Sequence, residues 1–91
     1  MVDVVIKLSN VLAGEVGGNR VHVEALTLKQ ALDSLLSGRD GLREKLVDGL
    51  GNPKEYINIY VDGRDYRFLS GLETPLKDGS SIQIIPAVSG G

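Results

Sequence analysis

The 91-residue chain contains no cysteine and no tryptophan, and its one histidine is His22. Without cysteine there is no disulfide to staple the fold, no thiolate nucleophile and no Cys/His zinc site. With one histidine, a Ser-His-Asp arrangement has a single candidate base. An enzyme in its own right is therefore not expected. No apolar run approaches the roughly 20 residues of a membrane-spanning helix. The N-terminal MVDVVIKLSN lacks the basic-then-apolar layout of a signal peptide, so a cytoplasmic location is expected. Excess charge of one sign is also missing: Lys plus Arg is 10, Asp plus Glu 12, and the net charge -2. A surface this near neutral argues against nucleic acid or an anionic membrane as the main partner.

What is present is an ordinary globular balance, 42% hydrophobic and 24% charged, in a length that suits one small domain. Val2 to Leu8 alternates, with Val4, Ile6 and Leu8 on one face: a strand buried on one side. Asn10 to Asn19, with Gly14, Gly17 and Gly18, reads as a reversal without regular structure. Arg20 to Ala25 alternates again, Val21 and Val23 inward and Arg20, His22 and Glu24 outward.

The period then changes. Leu28, Ala31, Leu32, Leu35 and Leu36 form one helical stripe, so a helix is predicted over Leu28 to Ser37. Thr27 is its N-cap, with Gln30 reaching back in a capping box, and Gly38 stands just past its end. Leu42, Leu46 and Leu50 repeat every four residues, which predicts a short second helix from Gly41 to Val47. Tyr56 to Val61 reads as a strand, Asp62-Gly63 as a tight turn, Arg64 to Arg67 as a short return strand, and Ser81 to Ile85 as a last strand stopped by Pro86. This order predicts an α+β domain: a mixed sheet of about five strands packed on one main helix, with a short second helix, in the β-grasp or ubiquitin-like arrangement. The domain is expected over 1–85, followed by a flexible Gly-Gly tail over 86–91.

That tail, Pro86-Ala87-Val88-Ser89-Gly90-Gly91, carries the chemistry. Glycine has no Cβ, so a partner's backbone can close around it and a narrow channel can admit it. Six extended residues reach about 20 Å, and Pro86 stiffens the root. A terminal carboxylate, with a pKa of about 3.3–3.7, is a poor electrophile at neutral pH and needs activation, best by adenylation. The chain has neither a P-loop motif nor G-x-G-x-x-G. It is expected as substrate and carrier, with ATP used by a partner and no cofactor of its own.

The chain resembles the small sulfur carriers of the MoaD/ThiS family over essentially its whole length. The resemblance is most specific in Asn58-Ile59-Tyr60-Val61-Asp62-Gly63, Arg67-Phe68, Gly71-Leu72, Leu76-Lys77-Asp78-Gly79 and Ile84-Ile85-Pro86-Ala87-Val88-Ser89-Gly90-Gly91. In motif it is closest to the CysO-type (cysteine biosynthesis) and MoaD-type (molybdopterin synthase) carriers. The resemblance implies that a ubiquitin-activating-type adenylyltransferase activates Gly91 and that a thiocarboxylate forms there. It also implies a sulfur-accepting biosynthetic enzyme that takes in the tail. The alternative it implies is a ubiquitin-like modifier joined through Gly91 to lysines of target proteins. The free chain is expected to be a monomer.

Docking is expected to use the outer sheet face as well as the tail, where Val5, Tyr60 and Ile85 are the outward apolar positions. His22 is expected to be solvated. The glycines at 14–18 precede a strand, so they suit a loop better than a phosphate cradle. Asp62, Asp65 and Asp78 lack the spacing of a calcium loop, and Arg64 and Arg67 read as a solvated edge.

Overall fold

The computed structural model describes residues 1–87. Five strands, β1 (Val2–Leu8), β2 (Arg20–Ala25), β3 (Ile57–Val61), β4 (Arg64–Asp65) and β5 (Ser81–Pro86), form one sheet in the order β2-β1-β5-β3-β4. β1 and β5 run parallel; the other neighbouring pairs are antiparallel. Among the described residues three α-helices, α1 (Asn10–Ala13), α2 (Leu28–Leu36) and α3 (Asp40–Leu46), accompany the sheet, with 3-10 turns at Tyr66–Phe68 and Gly71–Glu73. This is the mixed, helix-backed β-grasp sheet that the alternation and the helical stripe predict.

The inward faces of β1, β3 and β5 supply Val4, Ile6, Leu8, Ile57, Ile59, Val61, Ile82 and Ile84, all buried. They pack on the stripe of α2, whose Leu28, Ala31 and Leu35 are fully enclosed. Burying each of these large side chains contributes about 1.5–3 kcal/mol, which a chain without disulfides needs. Gln30 N–H donates to Thr27 Oγ1, and Gln30 Oε1 accepts from Leu26 N–H. The box thus closes on the residue before the N-cap. The helix ends at Leu36, one residue short of the expected Ser37, and Gly38 follows at φ 72°.

Three local expectations are corrected. The segment after β1 holds a helical turn, α1, because Leu12 has a place in the core and is 2% exposed. α3 is one residue earlier than predicted at both ends and stops at Leu46. There Val47 turns extended, and Asp48 Oδ1 accepts from the N–H groups of Leu50 and Asn52. Leu50 therefore lies beyond the helix and outside the core, 87% exposed. The return strand β4 is only Arg64–Asp65; Tyr66–Phe68 form a 3-10 turn started by Asp65, whose carboxylate accepts from Arg67 N–H.

β5 runs one residue past the expected Ile85 and takes in Pro86 as its last residue. Asp62 N–H donates to Ser81 C=O and Ala87 N–H to Tyr56 C=O, so the hydrogen-bonded rows between β3 and β5 fall on the odd-numbered residues of β5. The nitrogen of Pro86 points away from β3, toward the side where β1 has already ended, and its missing donor costs the ladder nothing.

Candidate functional site

β5 is the central strand of the sheet, and the chain leaves it at Pro86, the register partner of Ile57. Ala87 is exposed on the rim, held by its N–H. The site residues Val88, Ser89, Gly90 and Gly91 lie outside the described residues. The site is therefore built here from its root.

One side of the root is apolar. Pro86, Tyr56, Ile57, Val11, Leu12 and the stem of Lys45 line a shallow cleft of about 160 Å³. Val11 is 69% exposed and Tyr56 49%, unusual for side chains of this kind gathered at one place. α1 presents Val11 here because the same turn buries Leu12. Lys45 Nζ is tied to Glu15 at 2.8 Å, which joins α3 to the segment after α1 at the edge of the cleft.

The other side is polar and ordered. Arg67 donates through Nε and Nη2 to the two oxygens of Asp65, at 3.1 and 3.0 Å, and Nη2 also reaches Asn58 Oδ1 at 2.8 Å. Its guanidinium lies 5.9 Å from the Tyr66 ring centre. The hydrogen bond from the Arg67 side chain holds the Asp65 carboxyl below the usual carboxylate value, and Asp65 in turn raises Arg67. Asn58 is the register partner of Ile85, so this fork sits beside the last turn of the pleat before the tail. Arg67, read from sequence as a solvated edge residue, is fixed in place.

The three expected apolar positions all lie on the outer face and are half-buried. Ile85 and Tyr60 are diagonal neighbours across β5 and β3, about 7–8 Å apart. Val5 stands beside Ser81, four residues along β5 from Ile85 and so about 13 Å away. Exposed Gln83 occupies the row between them. The sheet brings Ile85 and Tyr60 together and leaves Val5 apart. Val11 and Tyr56 were missed in the sequence: Val11 falls in a segment read as loop, whereas Tyr56 could have been found by extending the β3–β5 register one row past Pro86.

The aspartates weighed as cation ligands have other partners. Asp62 accepts from Ser80 Oγ and Ser81 N–H, and Asp78 from Asp3 N–H. Among the described residues no cluster of His, Asp or Glu is placed to hold a metal ion. His22 is exposed on the outer face of β2. Among the described residues no helix is long and apolar enough to cross a membrane.

Comparison with known proteins agrees with this anatomy. The pattern of the ThiS family matches residues 12–91. The sulfur carrier protein CysO of Mycobacterium tuberculosis (strain ATCC 25618 / H37Rv) is 35% identical over 92 residues, covering 98% of this chain and 99% of the relative. Among solved structures, a chain of the Amycolatopsis orientalis BexX/CysO complex superposes with a TM-score of 0.85 at 34% identity, covering 97% of this chain and 99% of its own. The small archaeal modifier protein 1 of Methanosarcina acetivorans gives a TM-score of 0.86 at 32% identity, covering 100% and 98%. A β-grasp domain whose central strand hands the chain to a Gly-Gly segment, matched through residue 91 and over nearly all its length to a sulfur carrier, belongs to the ThiS family of ubiquitin-like sulfur carriers.

Proposed function

We propose that this chain carries sulfur as a thiocarboxylate on Gly91, for use in cysteine or molybdopterin biosynthesis. The observation that carries the reading is the family match running through residue 91, directly beyond a strand anchored on both sides. A partner adenylyltransferase joins the Gly91 carboxylate to the α-phosphorus of ATP and releases pyrophosphate. A sulfide-level donor then displaces AMP and leaves sulfur on the C-terminal carbon. The accepting enzyme takes that sulfur, and hydrolysis restores the carboxylate.

The chain's own part is presentation. From Ala87 to Gly91 an extended segment reaches about 17 Å, far enough to enter a partner's interior while the root stays on the domain. The cleft at Val11 and Tyr56 offers an apolar contact beside that segment, and the fork of Arg67, Asp65 and Asn58 a rigid polar one. That a CysO chain was solved in complex with BexX supports a role in which this chain meets a second protein.

The test is the intact mass of the chain after incubation with its cognate activating enzyme, ATP and a sulfur donor. Exchange of one oxygen for sulfur, absent when Gly91 is deleted, is the expected result. Thiol-resistant conjugates to lysines of other proteins, with no thiocarboxylate formed, would move the reading to a protein modifier. Neither product with an active enzyme would overturn both.

A further inference from the structure

β2 closes one side of the sheet, and among the described residues no strand lies beyond it. Its ladder to β1 uses only half its main-chain groups. Leu8 N–H donates to Asn19 C=O, whereas Val5, opposite His22, donates its N–H the other way, to Ser80 C=O. By alternation, Val21 and Val23 bond to β1, and the N–H and C=O groups of Arg20, His22 and Glu24 face the open edge. All three residues are exposed, and Val21 and Val23 are half-buried on the inner face. Such an edge is a template for another strand.

The charges on this hairpin are placed against one another. Lys7 stands opposite Arg20 and Asp3 opposite Glu24. Both are rows without ladder hydrogen bonds, where Cα atoms approach to about 4.5 Å. Like charges directly opposite destabilise a sheet. None of the four is in an ion pair among the described residues; the pairs there are Lys29–Asp33, Lys45–Glu15 and Arg67–Asp65.

We propose that the β2 edge binds the β2 edge of a second copy of this chain, antiparallel about His22. A two-fold axis midway between the two His22 residues sets Arg20 against Glu24 of the second copy, and Glu24 against its Arg20. Each charge that is repelled within its own hairpin gains an opposite partner across the axis. His22 faces His22 of the second copy. The facing pairs at 20, 22 and 24 exchange main-chain hydrogen bonds, since those are the residues whose groups point outward. Val21 meets Val23 of the second copy on the inner face, where both are half-buried. The pattern Arg-Val-His-Val-Glu is complementary to its own reverse in charge, apolar face and hydrogen-bonding phase. The 6 residues of β2 are far fewer than the roughly 20–30 a side of a standard stable interface, so the free chain is a monomer when dilute and pairs toward millimolar concentration. β5 and the root of the tail stay uncovered.

The test is a concentration series of the full chain at low salt, from about 50 µM to about 2 mM, a range that spans weak association. It is followed by sedimentation equilibrium and amide chemical shifts. A monomer–dimer equilibrium with shifts concentrated at Arg20, His22 and Glu24 is expected. Arg20→Glu should weaken the dimer at least tenfold while raising thermal stability, because the new carboxylate faces Lys7 in its own chain. That opposition of signs separates lost pairing from a damaged fold. The double variant Arg20→Glu/Glu24→Arg restores the complementary pattern and should recover the dimer. A chain that stays monomeric to the top of the series, a dimer indifferent to Arg20→Glu, or shifts mapping to another face would each overturn the proposal.

Discussion

Arg67 and Asn58 meet on the outer face of the sheet, Nη2 to Oδ1 at 2.8 Å, and Asp65 holds the guanidinium there through two further hydrogen bonds. Because Asn58 is the register partner of Ile85, this places a fixed polar group one strand away from the tail root. The fork is the residue set on which pH should act. Asp65 titrates below its ordinary value of 3.8 in the folded chain, chiefly through the Arg67 hydrogen bond. A depressed carboxylate contributes stability that is complete above its unfolded value and disappears as pH falls through the folded one. Denaturant midpoints measured from pH 7 downward should hold steady for this pair until about pH 5 and then decline. Asp65→Asn should be less stable at pH 7 and should decline less on acidification. Parallel curves for the two proteins would show that the fork contributes nothing.

Leu12 is the reason the segment after β1 coils. Leu12→Ala should cost about 2–5 kcal/mol of unfolding free energy, the usual range for emptying a core leucine site. Urea unfolding gives that number. Val11→Ala, one residue away and exposed, should change it by less than about 0.5 kcal/mol.

Thr27 and Gln30 start α2 together. Thr27→Ala should cost about 1 kcal/mol. Gln30→Ala should cost a similar amount by freeing Leu26 N–H, an exposed donor that water can satisfy in part. Because both bonds hold one turn, the double variant should cost less than the sum, which a double-mutant cycle measures.

Tyr56→Asp and Val11→Asp test the apolar root. Both side chains are exposed, so stability should move by less than about 0.5 kcal/mol. Under the proposed function, in which an activating enzyme covers this cleft, either substitution should lower kcat/KM for loading roughly tenfold, equivalent to about 1.4 kcal/mol. Leu50→Asp is the control: Leu50 is more exposed than either and lies outside the cleft. Equal loss for all three would mean that charge anywhere on the domain harms loading.

Much of this was written in local patterns. The strands β1 and β2 have the predicted bounds, and the stripe of α2 is buried residue for residue, because periods of two and of three to four residues follow from which face meets the core. Asp62-Gly63 forms its turn with both residues at positive φ, 51° and 85°. What was not legible depends on pairing between distant strands. Pro86 reads as a stop because a missing N–H usually breaks a ladder; only the β3–β5 phase shows that this nitrogen faces away. Leu12 and Leu50 mislead in complementary ways. Leu12 lies in a polar, glycine-rich stretch and yet reaches the core, whereas Leu50 keeps the four-residue spacing after the helix has ended. For the site, the outer-face positions followed from alternation, but their separation by Gln83 needed the register.

The parallel pairing of β1 with β5, which puts β5 between two bonded neighbours, has a mechanical consequence. A load applied to the chain beyond Pro86 acts along β5, so it falls in shear on two ladders at once and is shared among bonds that must break together. Strands flanked on both sides are the last parts of a sheet to open. Pulling on an edge strand would instead unzip it one bond at a time. The chain beyond Pro86 is thus fastened to the most firmly held strand of the sheet, so a load applied there is resisted by the whole domain rather than unravelling it.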